Sequence, residues 1–508
     1  MKSTFKFITP MVAMLALTFA MVSAPGDART AQNGIPAVLL AIPSSPLVTF
    51  RIQFRAGAAD DPVGKKGLTR LTASMLTDGG TQKHTYEEMT ALFYPMAAGV
   101  RAVVDKDVTT FTGTTHIDNL EKFLDLFTQI LLEPRFDDSD FTRLKTAQSN
   151  YLSKTLRGGN DEELGKEALG VCLYSGHPYG TPNSGLVSNL DAVTLDDVKA
   201  HYQKMFTRDN VTIGLAGGYP ADLADKVSKS LQKLPAGAPE HAALPKPHEI
   251  AGLEILAIEK EGRSTAISMG FPIDVTRKDA DFYALMVANS HLGEHRTMNG
   301  VLMNRMREVR GLNYGDYSYI EHFVQDGGST FPITNIPRGE QYFSIWIRPV
   351  QPQHRQFALR LALWELNRMV SDGLTQEEFE DARSFVKNYS KLWAQDQSRR
   401  LGFLMDSKFY GIDDFLGTLP AKLDALTRDQ VNAAIKKHLQ SQNLCVAVVT
   451  KGAEAFLHDV ANNTPSPMKY DAEGIPQDVL EQDKMISVYP LKVNGTASRV
   501  VPVSDMFQ

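Results

Sequence analysis

Residues 54–81 read FRAGAADDPVGKKGLTRLTASMLTDGGT. Glycines stand near both ends of this stretch, and the pentapeptide Arg70-Leu71-Thr72-Ala73-Ser74 lies at its centre. The five side chains include no imidazole, thiol or carboxylate, the groups that hold a catalytic zinc or take a proton from its water. The pentapeptide therefore cannot form a metal site or supply a general base.

The chain on either side of residues 234–249 forms two related halves. This segment, LPAGAPEHAALPKPHE, concentrates Pro, Ala and Gly and is predicted to be a linker. Five residue pairs across it share a constant offset of 238 positions: Phe123 with Leu361, Leu126 with Trp364, Phe141 with Phe379, Asn150 with Asn388, and Tyr151 with Tyr389. Such a repeat implies two copies of one fold.

Each copy reads as a short strand, a helix, a polar hairpin-like region and two consecutive helices, which is an α+β pattern. In the first copy the consecutive helices are predicted over 119–132 and 138–156. Apolar residues recur there at helical spacing, and we expect each such stripe to pack on a sheet. The stripes are Leu120, Phe123, Phe127 and Ile130 in the first half and Phe357, Leu361 and Trp364 in the second.

Composition excludes several kinds of partner. The 508 residues are 43% hydrophobic, which is enough for large cores and about two to four domains. The chain has 53 basic and 59 acidic residues and a net charge of −6. That balance gives no electrostatic reason to expect binding to nucleic acid or to an anionic membrane.

The frame of residues 54–81 resembles the opening of the insulinase and pitrilysin family of inverted zinc peptidases. The matching residues are Gly57, Asp61, Pro62, Gly64, Gly67, Leu68, Met75, Leu76, Gly80 and Thr81. The resemblance extends from about residue 37 to about residue 455. It implies two homologous α/β-sandwich lobes, each an antiparallel sheet with helices on one face, joined by a linker in a clamshell-like shell.

The metal ligands of that family are missing from the first half. Where the family has His-x-x-Glu-His, this chain has the pentapeptide 70–74, and Arg70 would place a fixed positive charge beside the site. The family's third ligand is a glutamate on a later helix, which corresponds here to the helix beginning at Phe141. Residues 141–156 contain no Asp or Glu. We therefore predict no catalytic and no metal-binding residue in this chain.

A His-x-x-Glu-His motif does occur in the second half, as His291-Leu292-Gly293-Glu294-His295. With Glu377, Glu378 and Glu380 downstream, it supports an alternative, an active zinc endopeptidase. The alignment of the two halves argues against that alternative. An offset of 214 positions places residues 284–288 opposite the pentapeptide 70–74, about two helical turns before the motif. Gly293 is also predicted to end the helix, and two zinc-binding histidines four apart need an intact turn.

The segment 303–319, MNRMREVRGLNYGDYSY, resembles the part of the family in which an arginine and a tyrosine contact the bound peptide. These residues are Arg307 and Tyr314 here. Gly311 reads as a helix C-cap, which places Arg307 in a last helical turn and Tyr314 at the start of a strand. We predict that both bind substrate. His177, in a Pro-Gly turn, is given a structural role.

Export is predicted from the N-terminus. Lys2 and Lys6 precede an apolar run, 7–22, that is too short to span a bilayer, and small residues follow up to Ala28. We read a cleaved signal and a periplasmic or otherwise exported protein without a membrane span, with an uncleaved anchor as the alternative. Cys172 and Cys445 would then meet oxidising conditions, although two unrelated buried thiols are the favoured interpretation.

The predicted organisation is a signal peptide 1–28, a first peptidase-like lobe 35–235, a linker 236–250, a second lobe 251–455 and a C-terminal extension 456–508. In several branches of the family, a subunit with zinc pairs with one that lacks the ligands, and the two enclose a peptide-sized chamber. This chain resembles the second kind. We expect a non-catalytic subunit whose partner carries His-x-x-Glu-His and the zinc. A structural peptide-binding protein is the other alternative.

Overall fold

The computed structural model describes residues 27–30, 34–470 and 473–508, and it contains two six-stranded sheets that share the order and direction of five strands but differ in the sixth, an edge strand. The first sheet has the order β1-β2-β6-β3-β5-β4 and the second β12-β7-β11-β8-β10-β9. The strands are β1 (Asp27–Thr30), β2 (Pro36–Ala41), β3 (Leu47–Phe54), β4 (Val100–Val104), β5 (Thr109–His116), β6 (Val211–Gly217), β7 (Leu253–Glu259), β8 (Thr265–Ile273), β9 (Asp316–Tyr319), β10 (Gln341–Val350), β11 (Leu444–Thr450) and β12 (Arg499–Pro502). The two predicted copies of one α+β fold are confirmed.

Helices follow the strands in the same order in both halves. The first half contains α1 (Leu68–Asp78), α2 (Tyr86–Phe93), α3 (Leu120–Leu132), α4 (Asp138–Asn150), α5 (Asp161–Leu173), α6 (Val187–Ala192), α7 (Leu195–Met205) and α8 (Leu223–Leu231). The second contains α9 (Ala280–Gly293), α10 (Arg355–Asp372), α11 (Gln376–Leu392), α12 (Gln397–Tyr410), α13 (Phe415–Asp424), α14 (Arg428–His438), α15 (Ala453–Ala461) and α16 (Gln477–Ser487). Two π-helical segments, Tyr151–Gly159 and Met303–Glu308, complete the set.

The predicted apolar stripes form the cores. Phe123 and Phe127 of α3 are buried, and their ring centres lie 5.4 and 5.8 Å from that of Phe50 on β3. Phe357 and Leu361 of α10 are buried in the same way against the second sheet. Each helix thus removes one apolar face from water, which is the main stabilising contribution to a lobe of this kind.

The second face of each sheet is covered by a helix from the other half of the chain. Helix α5 packs on β8 and β11, and α12 packs on β2 and β6. This exchange explains why β11 is buried along its whole length. Pairing is mostly antiparallel, with parallel contacts between β2 and β6, β7 and β11, and β7 and β12. The exchange joins the two lobes through their cores rather than through a surface contact.

Cys172 and Cys445 form a disulfide, so the expectation of two unrelated thiols is wrong. Cys172 lies on α5 and Cys445 on the central strand β11, 273 residues apart in sequence. The packing of α5 on the second sheet brings them together, and neither half of the sequence by itself indicates that packing.

The C-terminal extension packs back on the second lobe. Strand β12 pairs with β7 in parallel, in the position that β1 holds in the first sheet. Met506 and Phe507 are buried beside α5. The segment 236–250 contains no helix or strand. The predicted signal segment, 1–28, lies outside the described residues except for its last two, which begin β1. In the described ranges, no helix has both the length and the apolar character needed to cross a bilayer.

Candidate functional site

Helix α1 begins at a turn that only glycine fits well. Gly67 has φ 98°, and a Cβ there would lie 2.7 Å from the carbonyl oxygen of Ser184. The carboxylate of Asp61 accepts hydrogen bonds from the backbone N–H groups of Gly67 and Thr69, both at 2.7 Å. Burial raises the pKa of Asp61 to about 6. These contacts fix the first turn of α1 and with it the direction of the next side chains.

The pentapeptide 70–74 turns one face of α1 toward the main cavity. Arg70 and Ser74 are four residues apart and therefore share a helix face, with Ala73 beside them. All three line a cavity of about 370 Å³. Thr72, on the opposite side of the helix, is fully buried. The positions predicted to correspond to the family's ligands and general base thus face one open space.

Tyr151 stands where the third ligand is expected. It opens the π-helical segment after α4, lines the same cavity, and its ring centre lies 5.7 Å from the guanidinium carbon of Arg70. An arginine above an aromatic face is a favourable arrangement. The sequence comparison identified this helix as lacking a carboxylate but did not single out Tyr151.

These residues do not fit a zinc ion. Catalytic zinc needs about three nitrogen, sulfur or carboxylate ligands and a base for its water. The cavity offers a guanidinium, a methyl group, a hydroxyl and a phenol at the corresponding positions, from Arg70, Ala73, Ser74 and Tyr151. The permanent positive charge of Arg70 would also repel a divalent cation.

A second group of charged residues lies deeper in the cavity. Nε and Nη2 of Arg338 donate to the two carboxylate oxygens of Asp105, each at 2.7 Å. Although burial alone would raise the pKa of Asp105, this guanidinium holds it well below its ordinary value. Burial and the Arg338 charge lower the pKa of the neighbouring His322 to about 3, so its imidazole is neutral at pH 7.

The cavity lies between the two halves and has unlike walls. Strand β4, which among the described strands pairs only with β5, contributes Ala102, Val103 and Val104. The second half contributes mainly apolar side chains: Phe323, Val324, Ile333, Ile336 and Trp346. An unpaired strand edge therefore faces an apolar wall across the cavity.

Two family models match this chain. The one described as insulinase (peptidase family M16) matches residues 37–157, and the one described as peptidase M16 inactive domain matches residues 192–386. Together they cover more than half of the chain. The chain belongs to peptidase family M16.

Some relatives in the M16 family are named zinc proteases, and one is named a non-peptidase homolog. An uncharacterized zinc protease of Streptomyces coelicolor is 22% identical over 443 residues, covering 85% of this chain and 91% of that protein. A non-peptidase homolog of Helicobacter pylori is 21% identical over 414 residues, covering 80% and 89%. The solved M16 inactive domain from Pseudomonas fluorescens shares the fold, with a TM-score of 0.74 and 23% identity over 84% of this chain and 98% of that one. With its ligand positions empty, this chain is an M16 homologue of the inactive type.

The HLGEH motif lies at the end of α9, away from the M16 ligand register. Helix α9 follows β8 as α1 follows β3, and it ends at Gly293, as predicted. His291 therefore lies in the helix and His295 beyond it. Nε2 of His291 is 3.9 Å from Glu378, whereas Nδ1 of His295 is 2.6 Å from the hydroxyl of Tyr319. Burial lowers the pKa of His295 to about 3 and raises that of Glu294 to about 7.

The motif does not assemble a ligand set. Within the described ranges, His291, Glu294 and His295 do not bring three ligand atoms within 4.8 Å of one another. The helix end at Gly293 is the physical reason, since the two histidines no longer share one helix face.

Arg307 and Tyr314 lie outside the residues that line the main cavity. Arg307 belongs to the π-helical segment 303–308, where Nη1 is 3.4 Å from Sδ of Met298 and Nε is 3.6 Å from Glu308. Gly311 has φ 62° and its N–H donates to the carbonyl of Arg307 at 2.9 Å, which fits the predicted C-cap. Tyr314 is 81% exposed and lies two positions before β9, rather than at the start of the strand as predicted. Their predicted contact with substrate stays a prediction.

The deeper cavity residues escaped the sequence analysis. Asp105, Lys106 and Asp107 form a charged turn between β4 and the threonine-rich β5, a pattern typical of an ordinary solvated hairpin. The partner of the buried Asp105 is Arg338, more than two hundred residues later. His177 has the structural role predicted for it, because its Nδ1 accepts from the N–H of Tyr179 at 3.0 Å inside an aromatic cluster.

Proposed function

We propose that this chain is the non-catalytic subunit of a heteromeric, exported zinc peptidase, in which it binds peptide and closes the substrate chamber. The catalytic subunit would carry His-x-x-Glu-His and the zinc. This chain would contribute no metal ligand and no general base.

The observation that carries the proposal is the state of the ligand positions. Arg70, Ala73 and Ser74 face the main cavity on an intact helix, yet none can bind zinc or take a proton from water. The surrounding frame, including the Asp61 cap and the Gly67 turn, is kept. A cavity that retains its walls but lacks the catalytic groups supports a binding role.

Peptide is the ligand that these walls suit best. Among the described residues no strand pairs with the outer edge of β4, and apart from the Val104 carbonyl, which accepts from Asn183 at 3.2 Å, an extended chain can add there as a further strand. The facing residues Phe323 and Ile336 can bury apolar side chains of that chain. Backbone hydrogen bonds would supply affinity for many sequences, and side-chain pockets the selectivity.

The lobes of this subunit are suited to a fixed wall of a chamber rather than to a hinge. Helices α5 and α12 are exchanged between the halves, and the disulfide ties α5 to β11. Opening such a unit would expose two cores. Closure of the chamber would therefore come from assembly with the partner. The disulfide and the charged N-terminus with its short apolar run support the exported location.

Co-expression with an M16 subunit that carries His-x-x-Glu-His tests the proposal. Light scattering should detect a heteromer, metal analysis should find zinc in the partner, and an unstructured peptide should be cleaved only by the assembled pair. The matched control is the partner with its motif glutamate changed to glutamine. Stoichiometric zinc and peptide cleavage in the purified single chain, lost on His291→Ala or His295→Ala, would show an active enzyme instead. Peptide binding without formation of a heteromer would favour the other alternative, a structural peptide-binding protein.

A further inference from the structure

The charges that line the main cavity do not all neutralise one another. Four cations and three carboxylates line it: Arg70, Lys106, Lys166 and Arg338, with Asp105, Glu163 and Glu167. Arg338 pairs with Asp105 at 2.7 Å and Lys166 with Glu163 at 2.6 Å. His322 is also present but neutral.

Lys106 and Glu167 both line the cavity and act on each other through their opposite charges. The ammonium of Lys106 donates to the carbonyl oxygen of Thr181. Burial and the Arg338 charge lower its pKa to about 8, and the carboxylate of Glu167 acts in the opposite direction. Burial raises the pKa of Glu167, and Lys106 opposes that change most strongly. Lys106 thus has a hydrogen-bond partner in Thr181 and an opposite charge among the other groups that line the cavity.

Arg70 is the cation that remains. In the described ranges it forms no ion pair, and its contact is with the ring of Tyr151. It is exposed, so its planar guanidinium has N–H groups available to a ligand in the cavity. An arginine on an aromatic platform is held in place without using its in-plane donors, which is the arrangement that suits recognition of a carboxylate.

We propose that Arg70 binds a carboxylate of the peptide in the cavity. The preferred ligands are then peptides that place an acidic side chain or a free C-terminus beside Arg70. The inference rests on the proposed peptide-binding function. Arg70 stands at one of the M16 metal-ligand positions. Its guanidinium keeps a positive charge at the centre of the site, although the zinc-dependent hydrolysis is lost. The anion it attracts is the peptide's own carboxylate, held by paired charge-assisted hydrogen bonds.

The test measures binding of labelled peptides to the full-length single chain by fluorescence anisotropy. Three peptides with the same apolar sequence are compared: one amidated and neutral, one with a free C-terminal carboxylate, and one amidated with an internal glutamate. We expect one of the two acidic peptides to bind about tenfold tighter than the neutral one, as one charge-assisted hydrogen-bonded pair would give. Which acidic peptide gains identifies the source of the carboxylate.

Arg70→Gln should remove that tenfold preference, so that the variant no longer distinguishes the three peptides, while Arg70→Glu should favour a lysine-containing peptide. The matched control is Arg55→Gln, because Arg55 is also exposed and also lies over an aromatic ring, that of Phe409 at 5.1 Å, but does not line the cavity. Equal affinity for all three peptides, or an equal loss in the Arg55 and Arg70 variants, would overturn the inference. Peptide binding itself would still be seen in that case, so the proposed function would stand.

Discussion

Arg338 and Asp105 form a buried, two-point ion pair across the two halves of the chain, although 233 residues separate them. Gly339 adds a hydrogen bond from its N–H to Asp107 at 2.7 Å. The turn between β4 and β5 is thereby attached to the segment that precedes β10. The pair fixes one end of the cavity.

Removal of one partner of this pair should be strongly destabilising. We expect Arg338→Gln to lower the free energy of unfolding by about 3–5 kcal/mol, because the Asp105 carboxylate would stay buried without its counter-charge. Asp105→Asn in the same chain should recover part of that loss. The matched control is Arg428→Gln, which breaks an exposed pair with Asp429 and should cost less than about 1 kcal/mol. Urea unfolding followed by circular dichroism measures all four proteins.

The empty ligand positions can be tested by restoring them. The variant with Arg70→His, Ala73→Glu and Ser74→His, together with Tyr151→Glu, should bind zinc, since Arg70 and Ser74 share a helix face and Tyr151 lies beside Arg70. The variant that keeps Tyr151 should bind zinc at least tenfold more weakly, because it lacks one ligand. Metal analysis after gel filtration gives the comparison. A folded four-site variant without zinc would show that the register assigned to α1 is wrong.

His322 should make stability depend on pH. Its pKa is about 3 in the folded protein and about 6.5 in an unfolded chain, so the unfolded state binds more protons between these values. The stability that the neutral ring contributes is present above about pH 6.5 and is lost as the pH falls toward 3. The difference in unfolding free energy between the natural protein and His322→Gln should shrink over that window.

Arg307 and Tyr314 are expected to act only in the assembled enzyme. Both lie outside the cavity lining of the single chain, so Arg307→Ala and Tyr314→Phe should leave its peptide affinity unchanged. If a partner closes the chamber over them, each substitution should lower peptide cleavage by about tenfold, as loss of one hydrogen bond to substrate would. The cleavage rate of the reconstituted pair measures this effect. Unchanged rates in both variants would show that neither residue contacts the substrate.

The disulfide should be present in the exported protein and should matter for stability. Thiol titration in denaturant should find no free thiol before reduction and two after it. Cys172→Ala and Cys445→Ala should each lower the free energy of unfolding by about 2–5 kcal/mol, and the double variant by little more than either one. Two free thiols in freshly purified protein would contradict the pairing.

Much of the architecture could be predicted from local patterns. The apolar stripe of Phe123 and Phe127 has the period of a helix and must be buried, and the matching stripe at Phe357 and Leu361 identifies a second copy. The expected end of α9 at Gly293 is confirmed, but Gly293 lacks the positive φ of a glycine cap, and its missing Cβ instead admits Ser318, whose N would lie 2.9 Å from that atom. The empty ligand positions at Arg70 and Ser74 follow from side-chain chemistry alone.

The sequence by itself determined two α+β lobes, an M16-like frame and the loss of its metal ligands, because these depend on residues close together in the chain. Only the tertiary structure decided what surrounds the empty site. The Cys172 to Cys445 pairing and the Arg338 to Asp105 contact join residues hundreds of positions apart, and no local pattern encodes them. They exist because α5 and α12 bury their apolar faces on the sheet of the opposite half, which closes the cavity around Arg70.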